Sequence, residues 1–256
     1  MANNESMKKV LTVAVTLCLV CSVFVAGSAV LLRDAQQANK AKDMKRNILA
    51  AAGLLEPGVS VEDQFKTIEV RAVDFSTGKF TDAVNPDTYD QRKASKDPAL
   101  SDKIPGDQDI AKIIRQVKYG LVYIVNGDDG LDKIILPIKG YGLWSTLHGF
   151  LALKSDLNTV VGIGFYEHAE TPGLGGEVDN PLWKAKWPGK KVYEDGEVKL
   201  SIIKGNADPS NPAAVYQVDG LSGASLTSRG VHNLIHYWMG DQGYAKFLSN
   251  LKKGEA

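Results

Sequence analysis

The sequence predicts an α+β domain, a mostly antiparallel sheet with flanking helices, preceded by one N-terminal transmembrane helix. Three observations carry the prediction. An uncharged apolar run fills residues 10–32, six short β-rich runs lie between 117 and 218, and an amphipathic helical pattern follows residue 225.

The apolar run comes first. Val10 to Leu32 spans 23 positions without a charge, and a bilayer core needs about 20 residues at helical rise. A secretory signal peptide is the rival reading, since Ala26-Gly27-Ser28-Ala29 supplies small residues for cleavage. Its apolar region would be shorter, about 7–15 residues, whereas here apolar residues continue through Val30-Leu31-Leu32. Lys8 and Lys9 favour a cytoplasmic N-terminus, but Arg33, Lys40, Lys42, Lys45 and Arg46 flank the other end, so charge counting leaves the direction open. Cys18 and Cys21 both fall within the run. The remainder therefore has no thiolate for an iron–sulfur cluster or a cysteine-type zinc site.

The chain divides into an N-terminal segment 1–9, the span 10–32, a helical connector 33–56 and a domain 57–256. Ala, Gln, Lys and Arg dominate 34–55 and favour helix, which Glu56-Pro57-Gly58 breaks. Phe65 to Phe75 alternates as a strand. Residues 83–112, rich in Asp, Lys and Pro, read as a polar surface excursion without chemistry of its own.

Strand signals then strengthen at Val117–Val125, Lys133–Ile138, Gly149–Leu153, Val160–Tyr166, Leu200–Lys204 and Ala214–Val218. Gly-Asp-Asp-Gly at 127–130 joins the first two, and residues 154–158 join the next two. Such short connections favour antiparallel pairing. Two helices close the chain. In the first, Val231, Leu234, Ile235 and Trp238 form one apolar face.

Lys+Arg and Asp+Glu balance at 30 each, and no basic stripe interleaves with aromatics, so nucleic acid is not an expected partner. The chemistry concentrates in Asp219-Gly-Leu-Ser-Gly-Ala-Ser-Leu-Thr-Ser228, between a strand and the amphipathic helix. Ser222, Ser225, Thr227 and Ser228 place four hydroxyls in seven residues, with the small Gly223 and Ala224 between them. A helix start offers free N–H groups and a positive dipole end, which suit a phosphate. The plainer reading makes Ser225, Thr227 and Ser228 helix caps. Neither the G-x-S-x-G elbow of a serine hydrolase nor a P-loop is present.

This segment resembles the D-G-x-[ST]-G-A-[ST]-x-T-S signature of FMN-binding domains modified by a flavin transferase. Gly140-Tyr-Gly-Leu-Trp144 and Glu167-His-Ala-Glu-Thr-Pro-Gly-Leu-Gly175 are similar to two further stretches of that family. The family includes the C subunits of bacterial sodium-translocating NADH:quinone oxidoreductases and, as near relatives, the G subunits of Rnf complexes. With the apolar N-terminus, the likeness covers nearly the whole chain.

The resemblance implies FMN joined through its phosphate to Ser225, where threonine is the usual acceptor. It implies an electron carrier of the bacterial inner membrane with the flavin domain in the periplasm. The implied partners are subunits A, B, D, E and F and a maturing FAD:protein FMN transferase. Sodium translocation, an NADH donor elsewhere in the complex and ubiquinone as acceptor come with the same likeness.

Once the family is granted, Gly142, Gly173 and Gly175 are expected to let backbone approach a flat ring. Leu143, Trp144 and Leu174 are expected to cover it, with Glu170 and Thr171 beside it. No general acid, base or metal is expected. His168 with Glu170, and His232 with His236, supply only two ligand-type side chains each. Two other classes stay open: an anchored serine hydrolase using Ser225, and a non-enzymatic assembly subunit whose hydroxyl cluster is only a cap.

Overall fold

Helix α1 (Met7–Leu31) takes in the expected span except Leu32, which is its C-cap, and none of its residues is buried. Its 25 residues extend about 37 Å at helical rise, long enough for a hydrocarbon core of roughly 30 Å. The computed structural model describes residues 6–128 and 130–256. Residues 1–5 of the expected N-terminal segment, and Asp129 of the expected turn, lie outside them. The chain forms two compact units, residues 1–43 and 44–256.

Helix α2 (Arg33–Ala51) ends earlier than the composition suggests. Gly53, at φ +66°, stops it ahead of Glu56-Pro57-Gly58. The Leu54 N–H donates to Leu49 O at 2.8 Å and the Gly53 N–H to Ala50 O at 3.1 Å. These are the paired bonds of a glycine-terminated helix. Helix α3 (Val61–Phe65), capped by Ser60, takes up the start of the expected Phe65–Phe75 strand. Strand β1 (Ile68–Asp74) therefore begins three residues later, before β2 (Lys79–Phe80).

Residues 83–112 hold α4 (Gln91–Ala94) and β3 (Ser101–Lys103). The expected strand from Val117 is split into β4 (Arg115–Val117), which pairs with β3, and β5 (Tyr119–Gly127). The next three strands are β6 (Gly130–Tyr141), β7 (Thr146–Lys154) and β8 (Val160–Glu167).

A 3-10 turn at Gly175–Asp179 leads to α5 (Pro181–Lys184), β9 (Tyr193–Glu194), β10 (Glu197–Val198) and β11 (Ser201–Ile203). Most of the expected Ala214–Val218 strand is instead a 3-10 turn, Pro212–Tyr216. The Asn211 side chain accepts from the Ala213 N–H and Pro212 opens the turn, a start that favours helical geometry over extension. Only β12 (Gln217–Asp219) is extended, and it runs parallel to β11. Helices α6 (Ser225–Met239) and α7 (Ala245–Lys253) close the chain.

The main sheet has the order β2-β1-β5-β6-β7-β8, antiparallel throughout. Strand alternation sends neighbouring side chains to opposite faces. On β7, Leu147, Leu151 and Leu153 join a core with Val231, Leu234, Ile235 and Trp238 of α6. Phe150 and Ala152 join a second core with Ile48, Leu49, Ala51 and Ala52, at the end of α2 and just past it. The sheet is thus buried on both faces. Strands β6 and β7 deliver their connecting turn, Gly142–Ser145, to the end of the sheet where β8 also finishes.

Candidate functional site

The three segments singled out in the sequence meet around one carboxylate. Glu170 is only 4% exposed, and unpaired burial of a charge would be prohibitive. The turn between β6 and β7 supplies its partners. The N–H groups of Trp144 and Ser145 donate to Oε1 at 3.0 and 3.1 Å, and the Leu143 N–H lies 3.2 Å from both oxygens. The Ser145 hydroxyl adds a bond of 3.1 Å while accepting from the Ala169 N–H at 2.8 Å. From α6, the Thr227 hydroxyl donates to Oε2 at 2.7 Å.

Burial pushes the Glu170 carboxyl pKa up, but the Thr227 hydroxyl and the Trp144, Leu143 and Ser145 N–H groups together hold it below the usual range. The charge is therefore a structural fixture joining β6–β7, the segment after β8, and α6.

This arrangement explains two glycines differently from the expectation of backbone opened to a flat ring. A Cβ on Gly142 would lie 2.7 Å from Glu170 Oε1, and one on Gly175 would lie 2.5 Å from Thr227 Oγ1. Both make room for the carboxylate and its hydroxyl partner. Gly173 meets nothing within 4 Å, and Thr171 contributes its carbonyl, which accepts from the Leu174 and Gly176 N–H groups.

Helix α6 begins without a side-chain cap. Its N-cap is Ala224, and Ser225 is the first helical residue. Thr227 and Ser228 are both buried. One is committed to Glu170, and the other's hydroxyl accepts from the Leu221 N–H at 2.9 Å. Ser225 and Thr227 thus lie in the first turn, but none of the three hydroxyls caps a helix N–H: Ala224 is the N-cap, Thr227 is engaged with Glu170, and Ser228 accepts from an N–H ahead of the helix. Ser222, Gly223 and Ser225 are exposed. The Ser225 hydroxyl has no hydrogen-bond partner among the described residues. It sits at the end of α6 where the first N–H groups have no partner within the helix.

Apolar side chains stand exposed on the same segments. Trp144 is 67% exposed, Leu226 52% and Leu174 45%, while Leu143 is half-buried. The Leu174 Cδ2 lies beside Gly223, which ties the loop after β8 to the entry of α6. Leu226 and Ser145 were missed in the sequence. Ser145 carried no signal, because its partners lie 24 and 25 residues away. Leu226 was legible only as a large apolar residue beside Ser225. Asp219 anchors the start of the motif: it accepts from the Ala207 N–H at 2.8 Å and pairs with Lys186, and its carbonyl accepts from Trp183 Nε1.

The histidines have other duties. His168 Nδ1 accepts from the Glu170 N–H, which leaves its Nε2 proton to bond Asp179 at 2.7 Å. His232 and His236 stack 4.1 Å apart, and burial lowers the pKa of both. His236 Nε2 meets Leu200 O at 3.0 Å.

A family model described as FMN-binding domain matches residues 142–240, a range that contains Gly142, Glu170 and all of α6. The chain is 57% identical over 261 residues to the C subunit of the Na(+)-translocating NADH-quinone reductase of Pseudomonas aeruginosa, covering 100% of both chains. It is 48% identical to the same protein of Vibrio vulnificus, over 99% of both. The crystal structure of Shewanella oneidensis NqrC superposes with a TM-score of 0.77 at 34% identity, over 84% of this chain and 99% of that one. The corresponding protein from Parabacteroides distasonis gives 0.64 at 28% identity, over 85% and 97%.

Proposed function

Because the chain belongs to the family of Na(+)-translocating NADH-quinone reductase C subunits, we propose that it is the anchored electron carrier of such a complex, holding FMN as a phosphoester on Ser225. The observation that carries the attachment is the state of the hydroxyls around the start of α6. Thr227 and Ser228 are buried and engaged, whereas Ser225 is exposed, unpartnered and placed at the helix N-terminus. Ser222 is exposed too, but it precedes the Gly223 turn and lies outside the helix.

The residues present fit the cofactor. Unsatisfied N–H groups of the first turn of α6 and the helix dipole favour the phosphate. Trp144, Leu174 and Leu226 offer exposed apolar surface for a flat ring. Glu170 and Thr227 hold those segments in register from beneath and need not touch the ligand. Bound FMN supplies reversible electron transfer, and the chain supplies attachment, orientation and tuning of the potential. In maturation, the Ser225 hydroxyl would supply the oxygen that takes the flavin phosphate from FAD, the pyrophosphate P–O bond breaking and AMP leaving with the hydroxyl proton.

In this reading α1 anchors the domain in the inner membrane with residues 57–256 on the periplasmic side. Electrons originating from NADH pass between redox centres of the complex on the way to ubiquinone, and subunits A, B, D, E and F are the partners. The G subunits of Rnf complexes are the alternative family branch, disfavoured because the full-length relatives described above are C subunits. A serine hydrolase is disfavoured because no histidine or carboxylate bonds the Ser225 hydroxyl among the described residues.

The test is intact mass spectrometry of the full chain co-expressed with the transferase. The wild type gains the mass of FMN less water, and Ser225→Ala stays unmodified while Ser222→Ala is modified normally. An alanine variant at 225 that keeps the mass overturns the assignment, as does an unmodified wild type in the presence of active transferase.

A further inference from the structure

A second candidate site lies beside α4, lined mostly by the sheet face opposite α6 and reaching Trp238 near the end of that helix. A cleft of about 410 Å³ separates the sheet from the segment around α4. That volume falls within the range of about 300–1,000 Å³ common for small-molecule sites. Tyr123, Phe150 and Tyr166 line it, together with Arg92, Lys139 and His148.

Strand register brings Lys139 beside the neutral His148. Lys139 on β6 pairs directly with His148 on β7, which pairs with Glu167 on β8. The register slips between His148 and Gly149, leaving Tyr166 without a partner across the ladder. Tyr166 instead stacks on Phe150, with ring centroids 5.1 Å apart and planes at 23°. Arg92 reaches in from α4 and donates to Glu167 Oε2 at 2.9 Å.

Of the cations that line the cleft, Lys139 is the one without an ion pair among the described residues. Lys139 is half-buried, and its ammonium makes no hydrogen bond or ion pair among the described residues, Asp109 acting on it only at longer range. Asp87 and Asp90 also line the cleft, but both are exposed, and Asp90 caps α4 and pairs with Lys93. The Tyr123 hydroxyl, on a side chain 6% exposed, has no hydrogen-bond partner among the described residues. A partly desolvated ammonium without a counter-ion is unfavourable, and an anion seated beside it removes that cost. The half-buried Tyr166 ring, backed by the buried Phe150 with which it stacks, offers a flat wall alongside.

We propose that this cleft binds a small organic monoanion with a flat apolar body, of the aromatic carboxylate class, with its charge at Lys139 and its ring against Tyr166. One uncompensated cation sets the single charge. Because the cleft meets α6 only at Trp238, and none of Trp144, Glu170, Leu174 or Ser225 lines it, the proposal does not depend on the flavin reading.

The test uses the full chain in detergent, titrated calorimetrically with 2-naphthoate against a micelle blank. One saturable site is expected, weakened at least about tenfold by Lys139→Met and retained by Lys139→Arg, with 2-naphthol binding about tenfold weaker than 2-naphthoate. Thermal unfolding of both variants at the wild-type temperature shows that the loss is local. Absence of saturable binding overturns the proposal, as does equal binding by Lys139→Met or by the uncharged naphthol. If 2-naphthoate does not bind but Lys139→Met no longer co-purifies with partner subunits, the cleft serves a protein contact and the small-anion assignment fails.

Discussion

Replacing Glu170 by glutamine keeps the shape of the side chain and removes its charge. In the wild type, five donors converge on the two oxygens: the N–H groups of Leu143, Trp144 and Ser145 and the hydroxyls of Ser145 and Thr227. Glutamine retains one acceptor oxygen. The Thr227 hydroxyl can rotate to accept from the new amide, so that contact survives in reverse. The remaining donors keep a neutral acceptor in place of a charged one, a difference of about 0.5–1.5 kcal/mol each. Neighbouring bonds are not additive, so the net cost is about 2–4 kcal/mol, a fall in Tm of roughly 5–15 °C for a domain of this size. Glu170→Ala removes every acceptor and costs more, about 4–5 kcal/mol.

The charge also gives the effect a pH signature. Because the folded carboxyl titrates below its unfolded value of 4.5, its stabilisation is complete at neutral pH. It is lost as pH falls from about 4.5 through the lower folded value. Urea unfolding of the full chain, followed by tryptophan fluorescence from pH 7 to 3, measures both quantities. The gap between wild type and Glu170→Gln should be constant at neutral pH and shrink below about pH 4.5. A gap under about 0.5 kcal/mol at pH 7, or one that persists unchanged to pH 3, refutes the account of Glu170 as a charged fixture.

Gly175→Ala places a Cβ 2.5 Å from Thr227 Oγ1 and should cost about 2–3 kcal/mol. Gly173→Ala meets no atom but must hold φ at +76°, and should cost only about 1 kcal/mol; equal urea midpoints for the two would contradict the packing argument. Burial, reinforced by Arg92 and Lys139 and opposed by Glu167, lowers the His148 pKa to about 4. The unfolded chain takes up that proton near pH 6.5 and the folded chain resists, so stability declines as pH falls between those values, by on the order of 3 kcal/mol. His148→Gln should flatten that part of the profile, and parallel profiles would rule the effect out. Trp144→Ala should leave unfolding within about 0.5 kcal/mol, since the side chain is 67% exposed, yet change the visible spectrum or midpoint potential of the FMN-loaded protein. An unaltered spectrum and potential would remove Trp144 from the ring's surroundings.

Local rules were enough to find most of the architecture. An uncharged run of bilayer length reads the same in any context, which is why α1 was legible from length and charge. Alternation along β5 to β8, and the 3.6-residue spacing of Val231, Leu234, Ile235 and Trp238, record burial directly in sequence, and the structure buries all four. Boundaries were less legible. Whether Gly53 or Pro57 stops α2 depends on two backbone hydrogen bonds. Pro212 with Asn211 turned an apolar run into a 3-10 turn where only composition had spoken for a strand.

The candidate site divides in the same way. Its segments stood out because Gly, Ser and Thr cluster unusually at 219–230 and because two further motifs accompanied them. Which hydroxyl is free could not be read there, since Ser225, Thr227 and Ser228 are chemically alike and differ only in what surrounds them. Glu170 bonds Leu143, Trp144 and Ser145 across 25 to 27 residues, and Thr227 across 57. Lys139, His148 and Arg92 likewise meet only when two strands are in register and α4 lies beside them. Sequence periodicity reports which face of an element is buried. The identity of the atom facing a given oxygen depends on distances between elements remote in the chain, and only the tertiary structure decides that.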